Sequence, residues 1–83
     1  MIITYKFSDM KQQRDAFLLM MDFSHYGMYS ESIQIGPFSM AEFAKGIWVK
    51  GTVSDLKEFV ADFEAELGME IYTKKVETDK GEQ

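Results

Sequence analysis

The sequence predicts an α+β domain in which two helices pack on one face of a four-stranded antiparallel sheet. Three observations carry that prediction. The stretch Lys45 to Gly68, K-G-I-W-V-K-G-T-V-S-D-L-K-E-F-V-A-D-F-E-A-E-L-G, passes from an apolar period of two to one near 3.6 within a few residues. Four strand patterns and two helical patterns follow one another as strand, helix, strand, strand, helix, strand. Glycine, proline or a capping residue stands at most of the changes of period.

In chain order, Ile2 to Phe7 is the first strand, with Ile3, Tyr5 and Phe7 on one face and Ile2, Thr4 and Lys6 on the other. Ser8 and Asp9 read as the cap of a helix running to about Phe23, since an aspartate there complements the helix dipole. The run Phe17 to Met21 is entirely apolar, more than one core-facing stripe requires, so part of it is expected to stay exposed or to meet another chain. Gly27 is the expected stop. Tyr29 to Gly36 is the second strand. Its polar set Ser30, Ser32 and Gln34 predicts an edge position with one wet face. Gly36-Pro37 then breaks the sheet. Ser39 with Glu42 has capping-box spacing and Phe38 with Phe43 that of a hydrophobic staple, which predicts a short helical turn over Met40 to Lys45, closed by Gly46.

Ile47, Val49 and Val53 alternate with Trp48, Lys50 and Thr52 in the third strand, where Gly51 is the weak position. Ser54 or Asp55 is the expected cap of the next helix, and Asp55 with Glu58 again has capping-box spacing. Leu56, Phe59, Val60, Phe63 and Leu67 line one side of that helix, and Gly68 ends it. Met69 to Val76 is the last strand, with Ile71 and Tyr72 on opposite faces. Residues 1–76 thus read as one domain, and residues 77–83, which contain no apolar side chain, as a flexible C-terminal tail.

This order is that of the ferredoxin-like βαββαβ fold. With right-handed crossovers the first and third strands are central and both helices cover the same face. Tyr5, Phe7, Ile33, Ile35, Ile47, Val49 and Ile71 are then expected beneath Phe17, Met21, Phe59, Phe63 and Leu67. The open face is expected to carry Thr4, Lys6, Trp48, Lys50, Thr52, Tyr72 and Lys74.

Composition excludes several kinds of chemistry. A chain of 83 residues has room for one domain and buries only about 60–65% of its unfolded surface, for which 46% apolar residues are ample. The absence of cysteine removes disulfides, thiol catalysis and thiolate metal sites, and is compatible with a reducing cytoplasm. No apolar run approaches the ~20 residues of a spanning helix, so no membrane is expected. The N-terminus shows no basic segment followed by a long apolar stretch, so secretion is not expected either. The only histidine, His25, follows the first helix with no nucleophile or carboxylate placed beside it, and it reads as a group interacting with the helix C-terminus. One histidine without cysteine gives no metal site, and no glycine-rich phosphate loop precedes a lysine. Neither a cofactor nor an enzymatic constellation can be assembled.

Two surfaces remain. Asp55, Glu58, Asp62 and Glu66 recur at i+3 or i+4 along the second long helix, and with a net charge of −5 they predict attraction to a basic protein partner. On the open face, Lys6, Trp48, Lys50, Tyr72 and Lys74 would combine aromatic rings with cations. The segment K-G-I-W-V-K-G resembles the third-strand motif of sheet-based RNA-binding domains in its leading Lys45-Gly46, which implies base stacking on this face. It departs from that motif where Ile47 and Val49 replace the aromatic positions, and the net charge disfavours nucleic acid. The reading is a small acidic protein-interaction or regulatory module, including the role of an inhibitor. Single-stranded nucleic-acid binding on the sheet is the first alternative. A homodimer paired through the sheet, with a sensor or enzyme site at its interface, is the second.

Overall fold

In the computed structural model, which describes residues 1–25, 33–37, 39–68 and 71–78, the elements are β1 (Ile2–Phe7), α1 (Met10–His25), β2 (Gln34–Gly36), α2 (Met40–Phe43), β3 (Ile47–Lys50), α3 (Val53–Leu67) and β4 (Tyr72–Glu77). The sheet order is β2-β3-β1-β4 with every pairing antiparallel, the ferredoxin-like arrangement. β1 and β3 are central, and the short polar β2 lies at an edge as its alternation predicted. No helix among the described residues is long and apolar enough to cross a membrane.

One face of the sheet is buried. Ile3, Tyr5, Phe7, Ile47 and Val49 meet Ala16 and Met20 of α1 and Leu56, Phe59, Val60, Phe63 and Leu67 of α3 in a single cluster, with Ile33, Ile35 and Phe17 packed against it. Both long helices therefore cover the same face. Within the apolar run of α1, Met20 is buried while Leu18 is 48% exposed, so the run divides as its excess over one stripe required.

The helix ends show how local chemistry sets the boundaries. The Asp9 carboxylate accepts the Lys11 N–H at 2.9 Å at the start of α1. Ser39 Oγ accepts the Glu42 N–H at 3.2 Å and caps α2 as expected. α3 begins earlier than the Ser54 or Asp55 cap implied. Its N-cap is Thr52, whose Oγ1 accepts the Asp55 N–H at 3.2 Å, so Thr52 and Val53 leave the third strand. At the other end Gly68 closes α3 with φ 68° and its N–H on the Glu64 carbonyl. The structure of Gly27, the stretch Tyr29 to Ser32, Phe38, Met69 and the chain beyond Thr78 lies outside the described residues. Glu77, read as the start of a tail, pairs with Ile2 as the last residue of β4.

β4 corrects the expected parity. Tyr72 pairs with Phe7, Lys74 with Tyr5 and Val76 with Ile3, so these three share the helix-covered face. Ile71 precedes the strand and is 79% exposed. Two adjacent apolar residues, Ile71 and Tyr72, had left the phase of this edge strand ambiguous, and the partner residues on β1 decide it. The open face is instead Ile2, Thr4 and Lys6 of β1, Trp48 and Lys50 of β3, Gln34 and Gly36 of β2, and Thr73, Lys75 and Glu77 of β4.

Two glycines allow close approaches that no other residue would. Gly46 has φ 130°, and a Cβ there would stand 2.7 Å from the Tyr5 carbonyl oxygen. Gly36 pairs with Trp48 across the open face, and a Cβ there would stand 2.1 Å from Trp48 Cζ2. The indole thus covers the glycine of the edge strand. Gln13, buried on α1, ties the layers together by accepting the Phe7 N–H at 3.1 Å and donating to the Phe43 carbonyl.

Gly36→Ala is expected to push the indole off β2, shifting the emission of this single tryptophan to longer wavelength and costing roughly 1–3 kcal/mol of stability. An unchanged emission maximum would show that the indole does not occupy that site.

Candidate functional site

The outer surface of α3 carries the acidic column. Because the helix advances about 100° per residue, Asp55, Glu58, Asp62 and Glu66 fall on one flank, beside the buried stripe of Leu56, Phe59 and Phe63. Glu58, Asp62 and Glu66 are exposed and Asp55 is half-buried near the N-terminal turn. The structure therefore brings all four together as the spacing predicted. Glu58 with Asp62 and Asp62 with Glu66 stand at i, i+4, an arrangement that costs a few tenths of a kcal/mol per pair in an isolated helix.

The sheet surface is less than the sequence implied. Of the five residues placed there, Lys6, Trp48 and Lys50 lie on the open face, while Tyr72 and Lys74 lie on the other. Trp48 is half-buried over Gly36. Lys6 donates to the Ala44 carbonyl at the end of α2, and Lys75, which does face outward, pairs with Glu77 at 2.9 Å. The expected platform of two aromatic rings is reduced to one ring.

Tyr72 and Lys74 instead form a cluster that the sequence did not reveal, centred on Glu64 of α3. Tyr5 donates its hydroxyl to Glu64 Oε2 at 3.0 Å, Tyr72 donates to Oε1 at 3.0 Å, and Lys74 Nζ meets Oε2 at 2.6 Å. The rings pack as well, with Tyr5 edge-on to both Phe63 and Tyr72 at centroid distances of 5.2 and 5.5 Å. Burial alone would raise the Glu64 pKa, but the hydrogen bonds from Lys74, Tyr5 and Tyr72 outweigh it and hold the carboxyl below the usual range. Burial, reinforced by the charge and hydrogen bond of Glu64, pushes the Tyr5 phenol far above its ordinary value. The Tyr72 phenol is raised by burial and by its bond to the same carboxylate.

Both phenols are held protonated and the carboxylate is occupied by three donors. Such a cluster clamps β1 and β4 to α3; it leaves no group poised to exchange a proton with a substrate. Its sequence signal was Tyr5 itself, a hydroxyl in the core-facing phase of a central strand, which must find an acceptor inside the protein. Among the described residues no group of three or more histidine, cysteine, aspartate or glutamate side chains is arranged to hold a metal ion.

Comparison with protein-family models, curated proteins and solved structures finds no match for this chain.

Because the folded pKa of Glu64 is depressed, its contribution to stability is present above the unfolded value near 4.3 and is lost as pH falls through the folded value. Glu64→Gln is expected to flatten the acid limb of a plot of stability against pH. The raised Tyr5 pKa acts in the opposite sense: its contribution is complete below about pH 10 and is lost above it. Tyr5→Phe should therefore flatten the alkaline limb. Denaturant midpoints measured from acid to alkaline pH check both, and unchanged limbs would show that the cluster is not formed.

Proposed function

We propose that this chain is an acidic, non-enzymatic interaction module that docks a basic macromolecular partner on the outer flank of α3. The observation that carries this reading is the segregation of charge. The helix buries one side in the core and exposes Glu58, Asp62 and Glu66 on the adjoining flank, whereas three lysines of the sheet, Lys6, Lys74 and Lys75, are engaged by the protein's own groups. Those three cations are turned to the protein's own groups, while Glu58, Asp62 and Glu66 stand exposed along one flank of α3.

Selection for helix stability alone would have favoured lysine at one of the i+4 positions. A row of carboxylates on a rigid helix offers a fixed set of acceptors to arginine or lysine, steering a basic partner from a distance and fixing its register on contact. Occupying the phosphate-binding groove of a nucleic-acid-binding protein is one form that such an inhibitory contact takes. The alternative of nucleic-acid binding on the sheet loses the support of Tyr72 and Lys74, which lie on the opposite face.

Charge reversal tests the proposal directly. Immobilised wild-type protein is expected to retain a basic partner from cell extract at low ionic strength and to release it as salt is raised. Glu58→Lys combined with Asp62→Lys should lose that partner while the thermal midpoint stays within a few degrees, because both side chains are exposed. Equal retention by the double variant would remove α3 as the docking surface, and loss on Lys50→Glu instead would transfer the contact to the sheet.

A further inference from the structure

Away from the acidic flank, at the corner where α1 meets α2 and the end of β2, lies an open hollow of about 350 Å³ lined by Arg14, Phe17, Pro37, Ser39, Met40 and Phe43. Phe17 and Phe43 meet edge to face at 5.8 Å and form part of its wall. Met40 projects from α2 and is 81% exposed, a large apolar side chain that folding alone does not account for. The thioether and its three rotatable bonds let such a residue mould itself to an apolar guest.

Among the described residues of the lining, Arg14 is the only charged one. In a chain with 14 acidic residues against nine basic ones, an arginine is seldom short of a carboxylate, yet Arg14 makes no ion pair or hydrogen bond to another described residue. Its guanidinium is a planar fork suited to two parallel hydrogen bonds with a carboxylate. Beside it, the Ser39 oxygen accepts the Glu42 N–H, which leaves the hydroxyl proton able to donate to a second acceptor. Among its described residues the hollow thus pairs apolar walls with the Arg14 guanidinium and the Ser39 hydroxyl, and has no carboxylate to recognise a cation.

From this complementarity we propose that the hollow binds a small amphipathic carboxylate, its alkyl or aryl body against Phe17, Met40 and Phe43 and its carboxylate on Arg14. The size favours a small molecule over a helix or strand of a partner, since about 350 Å³ lies at the low end of the range for small-molecule pockets. This site is separate from the acidic flank of α3, so its fate does not depend on the partner proposed there.

The probe is octanoate, with octanol and octylammonium as matched controls, followed through the methyl resonances of methionine in the full chain and assigned with Met40→Leu. A saturable shift of the Met40 methyl is expected, strongest with octanoate. Arg14→Gln, at an exposed helical position that tolerates the change, should weaken octanoate about tenfold while leaving octanol unaffected. No saturable shift with octanoate would overturn the site altogether. Octanol binding as tightly as octanoate, or octanoate indifferent to Arg14→Gln, would overturn carboxylate recognition.

Discussion

Tyr5 is fully buried in the middle of β1, and its hydroxyl has to find an acceptor inside the protein. Glu64 supplies it, and the rest of that side of the molecule follows from the choice. A carboxylate drawn under a helix needs compensation, which comes from the Tyr72 hydroxyl and the Lys74 ammonium on β4. β4 is therefore fixed in the one phase that turns Tyr72 and Lys74 towards α3, and Ile71 is left outside. One buried hydroxyl on a central strand thereby determines which face of an edge strand is wet.

The same economy shapes the electrostatics. Lys74 is held by Glu64, Lys6 by the end of α2, and Lys75 by Glu77, so three lysines of the sheet bond to the protein's own groups. The exposed Lys75–Glu77 pair contributes little by itself, on the order of 0–1 kcal/mol, whereas the partly buried Lys74–Glu64 pair has two further hydrogen-bonding groups around it, the hydroxyls of Tyr5 and Tyr72. The flank of α3 beside its buried stripe carries Glu58, Asp62 and Glu66 to solvent.

Much of this was legible in the sequence wherever a period and a boundary signal agreed. The parities of β1 and β3, the buried stripe of α3, the Ser39 cap, the Gly68 stop and the edge position of β2 all follow from local pattern. Failures came where local signals were tied. Thr52, Ser54 and Asp55 are all competent caps, and the structure uses the first of them. Ile71 and Tyr72 offered opposite phases of equal apolar weight, so only pairing with β1 could choose between them. The Glu64 cluster was hidden for a different reason. Its longest hydrogen bond, from Tyr5 to Glu64, spans 59 positions, and no local pattern reports a contact at that range. The four carboxylates on the flank of α3, Asp55, Glu58, Asp62 and Glu66, were readable because they lie on one helix. The hollow beside Arg14 was not, since α1, β2 and α2 must all be in place before it exists.

β4 has one further consequence. It is a six-residue edge strand whose outer hydrogen-bonding groups face no other strand among the described residues, and Val76 on it is 51% exposed. Such an edge is a template on which another chain could add a strand. The consecutive lysines at its centre oppose that, because a second copy laid antiparallel with Lys74 across from Lys75 would bring like charges together. With Lys74 turned inward to Glu64 and Lys75 outward to Glu77, the strand sets a lysine on each of its sides, and the residue that helps to hold the domain shut also places a charged group beside this edge.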